Sequence, residues 1–138
     1  VNIMAEAFQF ELVSPERLLL SEQVIEVVVP GTEGYMTVMA HHAPLMATVK
    51  PGVVTVKTAD GKPDSYVVFG GFVDVTPDGC TLLAESAVHV TDIKADELQR
   101  RIQDAKEDFE DATTREERAK AEDLLGQLTT LEEAIKAV

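Results

Sequence analysis

Three histidines, one cysteine and twenty-five carboxylates are the residues of this 138-residue chain that could do chemistry. His41 and His42 are adjacent. On a strand, neighbours point to opposite faces, so the pair cannot chelate one metal. His89 is far away in sequence and no cysteine pair exists, so no metal site is expected. Cys80 follows an Asp-Gly turn with no basic cluster to lower its pKa, and reads as a small buried hydrophobe rather than a nucleophile. The run Pro30-Gly31-Thr32-Glu33-Gly34 lacks the Gly-Lys-Ser/Thr of a phosphate loop. No serine stands in a nucleophile-elbow setting, so a hydrolase built on His41 or His42 has nothing to pair with. The carboxylates fall mainly in the last third, where lysines and arginines at three- and four-residue spacings make a solvated helical face. An enzyme is not expected, nor a cofactor.

Composition points the same way. A formal charge of −13 argues against nucleic acid, whose phosphates are met by lysine and arginine, and disfavours an anionic membrane surface. The apolar share of 45% is enough for a core, and with 5% aromatics and no tryptophan that core is aliphatic. A lone cysteine fits a reducing compartment. No apolar run approaches the ~18 residues of a transmembrane helix, and no signal peptide is expected. Met4 is a candidate start, with Val1 to Ile3 as an upstream extension.

These residues must be positioned by two unlike halves. All six prolines and seven of eight glycines precede Thr91. In that half Phe8, Phe10 and Leu12 alternate with Gln9, Glu11 and Val13, the period of a half-buried strand. Further β-rich runs at 24–29, 36–39, 47–50, 53–58, 65–69, 72–75 and 81–85 are separated by Pro30-Gly31, Pro51-Gly52, Gly70-Gly71 and Pro77-Asp78-Gly79. About ten short strands with no helix between them imply an antiparallel β-sandwich over residues 1–90. Parallel pairing is not expected, because there is nowhere to put a crossover helix.

From residue 91 to 138 the period becomes helical. Leu98, Ile102, Ala105, Phe109 and Ala112 make one stripe; Ala121, Leu124, Leu128, Leu131, Ile135 and Val138 make a second. Thr114 and Glu117 read as a capping box that starts the second helix at about Arg115, the first ending near Ala112. So short a loop predicts an antiparallel two-helix hairpin. Each helix has one apolar face, so the hairpin can close on itself or open and offer both stripes elsewhere.

Two stretches carry a family resemblance. One runs Glu33-Gly34-Tyr35-Met36-Thr37-Val38-Met39-Ala40-His41-His42-Ala43-Pro44-Leu45 and on to Lys50-Pro51-Gly52; the other is Phe69-Gly70-Gly71-Phe72-Val73-Asp74-Val75, leading to Leu82-Leu83-Ala84-Glu85-Ser86-Ala87. With the sandwich-then-hairpin order they resemble the epsilon subunit of bacterial F-type ATP synthase, equivalent to the mitochondrial delta subunit. The resemblance implies a non-catalytic central-stalk subunit at the cytoplasmic face of the bacterial inner membrane. Its sandwich would bind the gamma subunit and the c-ring, and its hairpin would reach the catalytic alpha/beta subunits and restrain ATP hydrolysis. It assigns partner contacts to Glu33, Tyr35, His42, Pro44 and Leu45, and regulatory contacts to Arg100, Arg101, Arg115 and Arg118 on the helices. Pro44 and Leu45 have a plainer reading as turn and core residues.

Some positions depart from the family pattern. Tyr35 replaces a common acidic residue, and Thr37 and His41 stand where glycines are frequent. The Ile-Asp-x-x-Arg-Ala element through which some members bind ATP is here Ile93-Lys94-Ala95-Asp96-Glu97-Leu98, with lysine for Asp and glutamate for Arg. Glu97 would repel a phosphate, so ATP binding is not expected. From Asp92 onward eight basic side chains against fourteen acidic ones leave −6, poorly matched to an acidic catalytic collar, so inhibition is expected to be weak. The reading from another class is an unrelated β-sandwich adaptor or chaperone-like module, which would not bind a gamma subunit.

Overall fold

In the computed structural model, residues 6–136 are described; the candidate start at Met4 and the last apolar position, Val138, lie outside them. The described residues divide into two compact units between His89 and Val90.

The first unit is the expected β-sandwich, built from fewer and longer strands. They are β1 (Phe8–Val13), β2 (Leu18–Gly31), β3 (Gly34–Val38), β4 (Leu45–Thr58), β5 (Pro63–Thr76), β6 (Gly79–Ala84) and β7 (Ala87–His89). Runs that look separate in sequence are joined through their glycines. Strand β4 continues through Pro51-Gly52, β5 through Gly70-Gly71, and β2 through Pro30 to Gly31. The reason is a change of core-facing side. In β4 the core takes Val49 and then Val54 and Val56, and in β5 it takes Tyr66 and Val68 and then Val73 and Val75. Strand β2 switches likewise from Val24 to Val27 and Val29, across an irregular register. Side chains alternate with period two, so a strand that reverses its buried parity must bulge or kink. In β4 and β5 the glycines mark those kinks rather than strand ends, whereas β2 changes side at Ile25-Glu26 and ends on Gly31.

Strands run in the order β1-β6-β5-β4-β2-β3, with β1 also pairing β2, so five strands close a flattened ring. All pairings are antiparallel except β1 with β6, where Phe10 stands opposite Cys80 and Leu12 opposite Leu82. That parallel pair corrects the expectation that none would form. Its strands are linked by the whole intervening sheet, so no crossover helix is required. Phe10, Leu12, Val24, Val54 and Leu82 are fully buried, an aliphatic core as the composition implied.

The second unit holds a short 3₁₀ turn, Val90–Asp92, and two helices, α1 (Ala95–Asp111) and α2 (Arg115–Lys136). The helices pack against each other, and a hydrogen bond from Gln99 to Glu132 sets the start of α1 beside the end of α2, an antiparallel hairpin. Leu98, Ile102, Ala105, Ala121, Leu128 and Leu131 are buried and Phe109 half-buried. Leu124 departs from its stripe, being 39% exposed while Leu125 is half-buried. Adjacent helical residues project about 100° apart, and a seam one helix wide takes one of the two leucines more deeply. The capping box is half made. The Thr114 hydroxyl accepts from the Glu117 backbone N–H at 3.1 Å, but the Glu117 carboxylate accepts from the Thr113 hydroxyl instead of turning back to Thr114.

Candidate functional site: an exposed apolar face on the sandwich

The segment singled out from sequence, Glu33 to Leu45, surrounds β3. Glu33 is exposed in the two-residue turn Thr32-Glu33 between β2 and β3. Tyr35 is 52% exposed, yet its hydroxyl accepts from the backbone N–H of Val53 at 3.3 Å. The pairing of β2 with β4 skips from Val28↔Thr55 to Gly31↔Val49, so that N–H has no partner on β2. Tyr35 therefore closes the gap across Pro30 and Gly52. A Cβ on Gly52 would stand 2.5 Å from Pro30 Cβ and 3.1 Å from the Tyr35 hydroxyl, so only glycine leaves room for this arrangement.

Past β3 the chain turns at Met39–His42, where His42 N–H donates to the Met39 carbonyl at 3.2 Å. The two histidines sit in this turn rather than on a strand, which corrects the alternation argument. His41 adopts a φ of 66°, the left-handed conformation glycine takes most easily, and its Nε2 lies 2.6 Å from a Glu6 carboxylate oxygen. His42 Nδ1 lies 2.8 Å from the Ala43 carbonyl and so carries a proton that it donates. Pro44 and Leu45 are exposed, so the reading of them as core residues does not hold. The five residues do not form one cluster. Glu33 and Tyr35 stand at one end of β3, and His42, Pro44 and Leu45 follow its other end, with ~20 Å of strand between Glu33 and Met39.

Leu45 leads instead into a feature that the sequence reading missed. Met46, Phe72 and Leu83 are 66%, 40% and 40% exposed, and they line an open groove of about 570 Å³ with Pro15 at its edge. The register brings them together: Thr48 stands opposite Phe72, Phe72 opposite Leu83, and Met46 one pair along, opposite Asp74. A signal for it existed in the doublets Leu45-Met46, Phe72-Val73 and Leu82-Leu83. Where adjacent apolar residues occupy a strand, alternation sends one of each pair outward. Large apolar side chains gathered on an open sheet face mark an interaction surface.

Little else in the unit could do chemistry. The Cys80 thiol is pushed up to about 12 by burial and secondarily by the Asp74 charge, so it is no thiolate at neutral pH. His89 Nε2 lies 2.5 Å from Asp64 Oδ1, and the Tyr66 and His89 rings meet in a T-shaped contact with centroids 5.1 Å apart. Tyr66 itself is held above its ordinary value by burial, then by the charges of Asp64 and Glu22. Among the described residues no three His, Cys, Asp or Glu side chains are grouped to hold a metal. In the hairpin, half-buried Arg101 reaches Glu97 at 3.5 Å; Arg100, Arg115 and Arg118 are exposed, and Arg118 lies over the Phe109 ring at 5.8 Å.

Residues 7–90 match the family described as ATP synthase, Delta/Epsilon chain, beta-sandwich domain. The chain belongs to the ATP synthase delta/epsilon family. An ATP synthase epsilon chain of Mesorhizobium japonicum is 70% identical over 132 residues, covering 96% of this chain and 98% of that one. One from Brucella anthropi is 65% identical with the same coverage. A solved structure of Euglena gracilis mitochondrial ATP synthase, OSCP/F1/c-ring, contains a chain that superposes with a TM-score of 0.75 at 26% identity, over 98% of this chain and 84% of that one. A central stalk/c-ring structure of the Tetrahymena thermophila enzyme also gives a TM-score of 0.75, at 13% identity over 94% of this chain and 97% of that one, which shows the shared fold. Members of the family are non-catalytic accessory subunits of the synthase. No described helix is long and apolar enough to cross a membrane.

Proposed function

We propose that this chain is a central-stalk rotor subunit of an F-type ATP synthase, whose sandwich (residues 1–90) couples the gamma subunit to the c-ring. The observation that carries the reading is the exposed apolar face of Met46, Phe72 and Leu83. We assign gamma to that face and the c-ring to the exposed β2–β3 turn with Glu33 and Tyr35, while His42 and Pro44, past the other end of β3, lie just before Leu45 in the chain and are assigned to partner contacts there. The complex would hold the chain peripherally at the cytoplasmic face of a bacterial inner membrane. The test is reconstitution: tagged chain should co-purify with the gamma subunit, and Phe72→Asp should abolish this while leaving the far-UV spectrum unchanged. Retention of gamma by Phe72→Asp refutes the assignment.

The hairpin (residues 91–138) carries the regulatory part of the reading, and here the support is for weak restraint of ATP hydrolysis. Of the four arginines, half-buried Arg101 is engaged by Glu97, leaving the exposed Arg100, Arg115 and Arg118 to meet the catalytic alpha/beta subunits. ATP binding is not expected at the start of α1, where Asp96 and Glu97 crowd the first turn. Removing residues from Asp92 onward should change the ATPase rate of the assembled complex less than twofold. A several-fold rise contradicts weak restraint, and micromolar ATP binding in a calorimetric titration contradicts the second statement.

A further inference from the structure

The apolar face has one charged residue in its lining, and its position is built in. At Gly70 the β5 backbone carries no side chain, and Glu85, whose N–H donates to the Gly70 carbonyl at 3.0 Å, lays its carboxylate over that space. A Cβ on Gly70 would stand 3.3 Å from Glu85 Oε2. The carboxylate thus sits at one end of the groove floored by Phe72 and Leu83. No cation of the described residues lies within 4.0 Å of it, Lys50 on the neighbouring strand included.

We infer that Glu85 is the charge anchor of this face, receiving a lysine or arginine from the gamma segment that docks on Met46, Phe72 and Leu83. The inference rests on the docking proposal above and specifies the chemistry of the partner. A protein laid on the groove removes water from Glu85 as well as from the apolar side chains. A carboxylate desolvated without a partner is costly, so the segment that fits the apolar floor must bring a cation to its end. The chain's charge of −13 favours the approach of such a basic segment and disfavours acidic competitors.

The experiment measures binding of the full chain to purified gamma subunit by calorimetry from about 50 to about 300 mM salt, a range in which exposed charges become screened. Glu85→Gln should weaken binding about tenfold at low salt and flatten the salt dependence, and Glu85→Lys should weaken it further. Affinity within twofold of the parent for Glu85→Gln, or an unchanged salt dependence, overturns the anchor. Phe72→Asp separates the two readings. If it binds gamma normally, the docking face itself is wrong; if it fails to bind while Glu85→Gln is silent, the face stands and the anchor alone falls. Sedimentation of the isolated chain as a dimer that Phe72→Asp dissolves would make the occupant a second copy and overturn the proposal.

Discussion

Replacing Gly71 by alanine should be among the most damaging single changes in the sandwich. Gly71 stands opposite Ala84 with a φ of +132°, a backbone conformation L side chains rarely adopt. A Cβ there would lie 2.0 Å from the Leu83 carbonyl oxygen and 2.8 Å from Ala84 Cα. Both obstacles are backbone, so no side chain can swing away, and β6 must separate from β5. The strained conformation costs ~1–3 kcal/mol, and each ladder bond lost by separation adds about 1 kcal/mol. Together they predict a loss of ~4 kcal/mol, a large part of the 5–15 kcal/mol that a domain has. Urea unfolding followed by tyrosine fluorescence isolates the effect, because the chain has no tryptophan and both tyrosines, Tyr35 and Tyr66, lie in the sandwich. At a slope near 2 kcal/mol/M the midpoint should fall by about 2 M. A loss below ~1 kcal/mol would refute the reasoning, since the strain alone should reach that figure. Gly126→Ala in α2 is the control: its Cβ meets nothing within 4 Å, and the change should stabilise the helix by up to ~1 kcal/mol without moving the tyrosine transition.

Tyr35→Phe removes the acceptor for the Val53 N–H and should cost about 1 kcal/mol in the same urea assay, with no loss of fold. The raised Cys80 pKa makes stability fall at high pH: the unfolded thiol ionises near 9 and the folded one near 12, so stability is fully present below pH 9 and lost between them. Cys80→Ala should abolish that component, about 1.4 kcal/mol per pH unit, and an unchanged slope above pH 9 would contradict the burial argument. Thr114→Ala should lower the stability of α2 by ~1 kcal/mol, read from helical circular dichroism on heating. Glu117→Gln should be nearly silent there, because the carboxylate does not reach the Thr114 N–H.

Family, the order of sandwich and hairpin, and the break between the two helices to about a residue were all legible in the amino-acid sequence. Those features are local: helical periodicity, the Thr114 cap and the abrupt end of glycine and proline are written in neighbouring residues. That Pro51-Gly52 and Gly70-Gly71 lie inside strands emerges only from the pairing of β4 and β5, because a kink and a turn use the same residues and differ in what the strand pairs with next. The parallel pairing of β1 with β6 is likewise a property of closure, invisible in either strand. The contact face shows the same division. Alternation makes Met46, Phe72 and Leu83 outward on their own strands, but only the register of β4, β5 and β6 sets them side by side with Glu85 at the end. Register is fixed by long-range hydrogen bonding, and no window of sequence contains it.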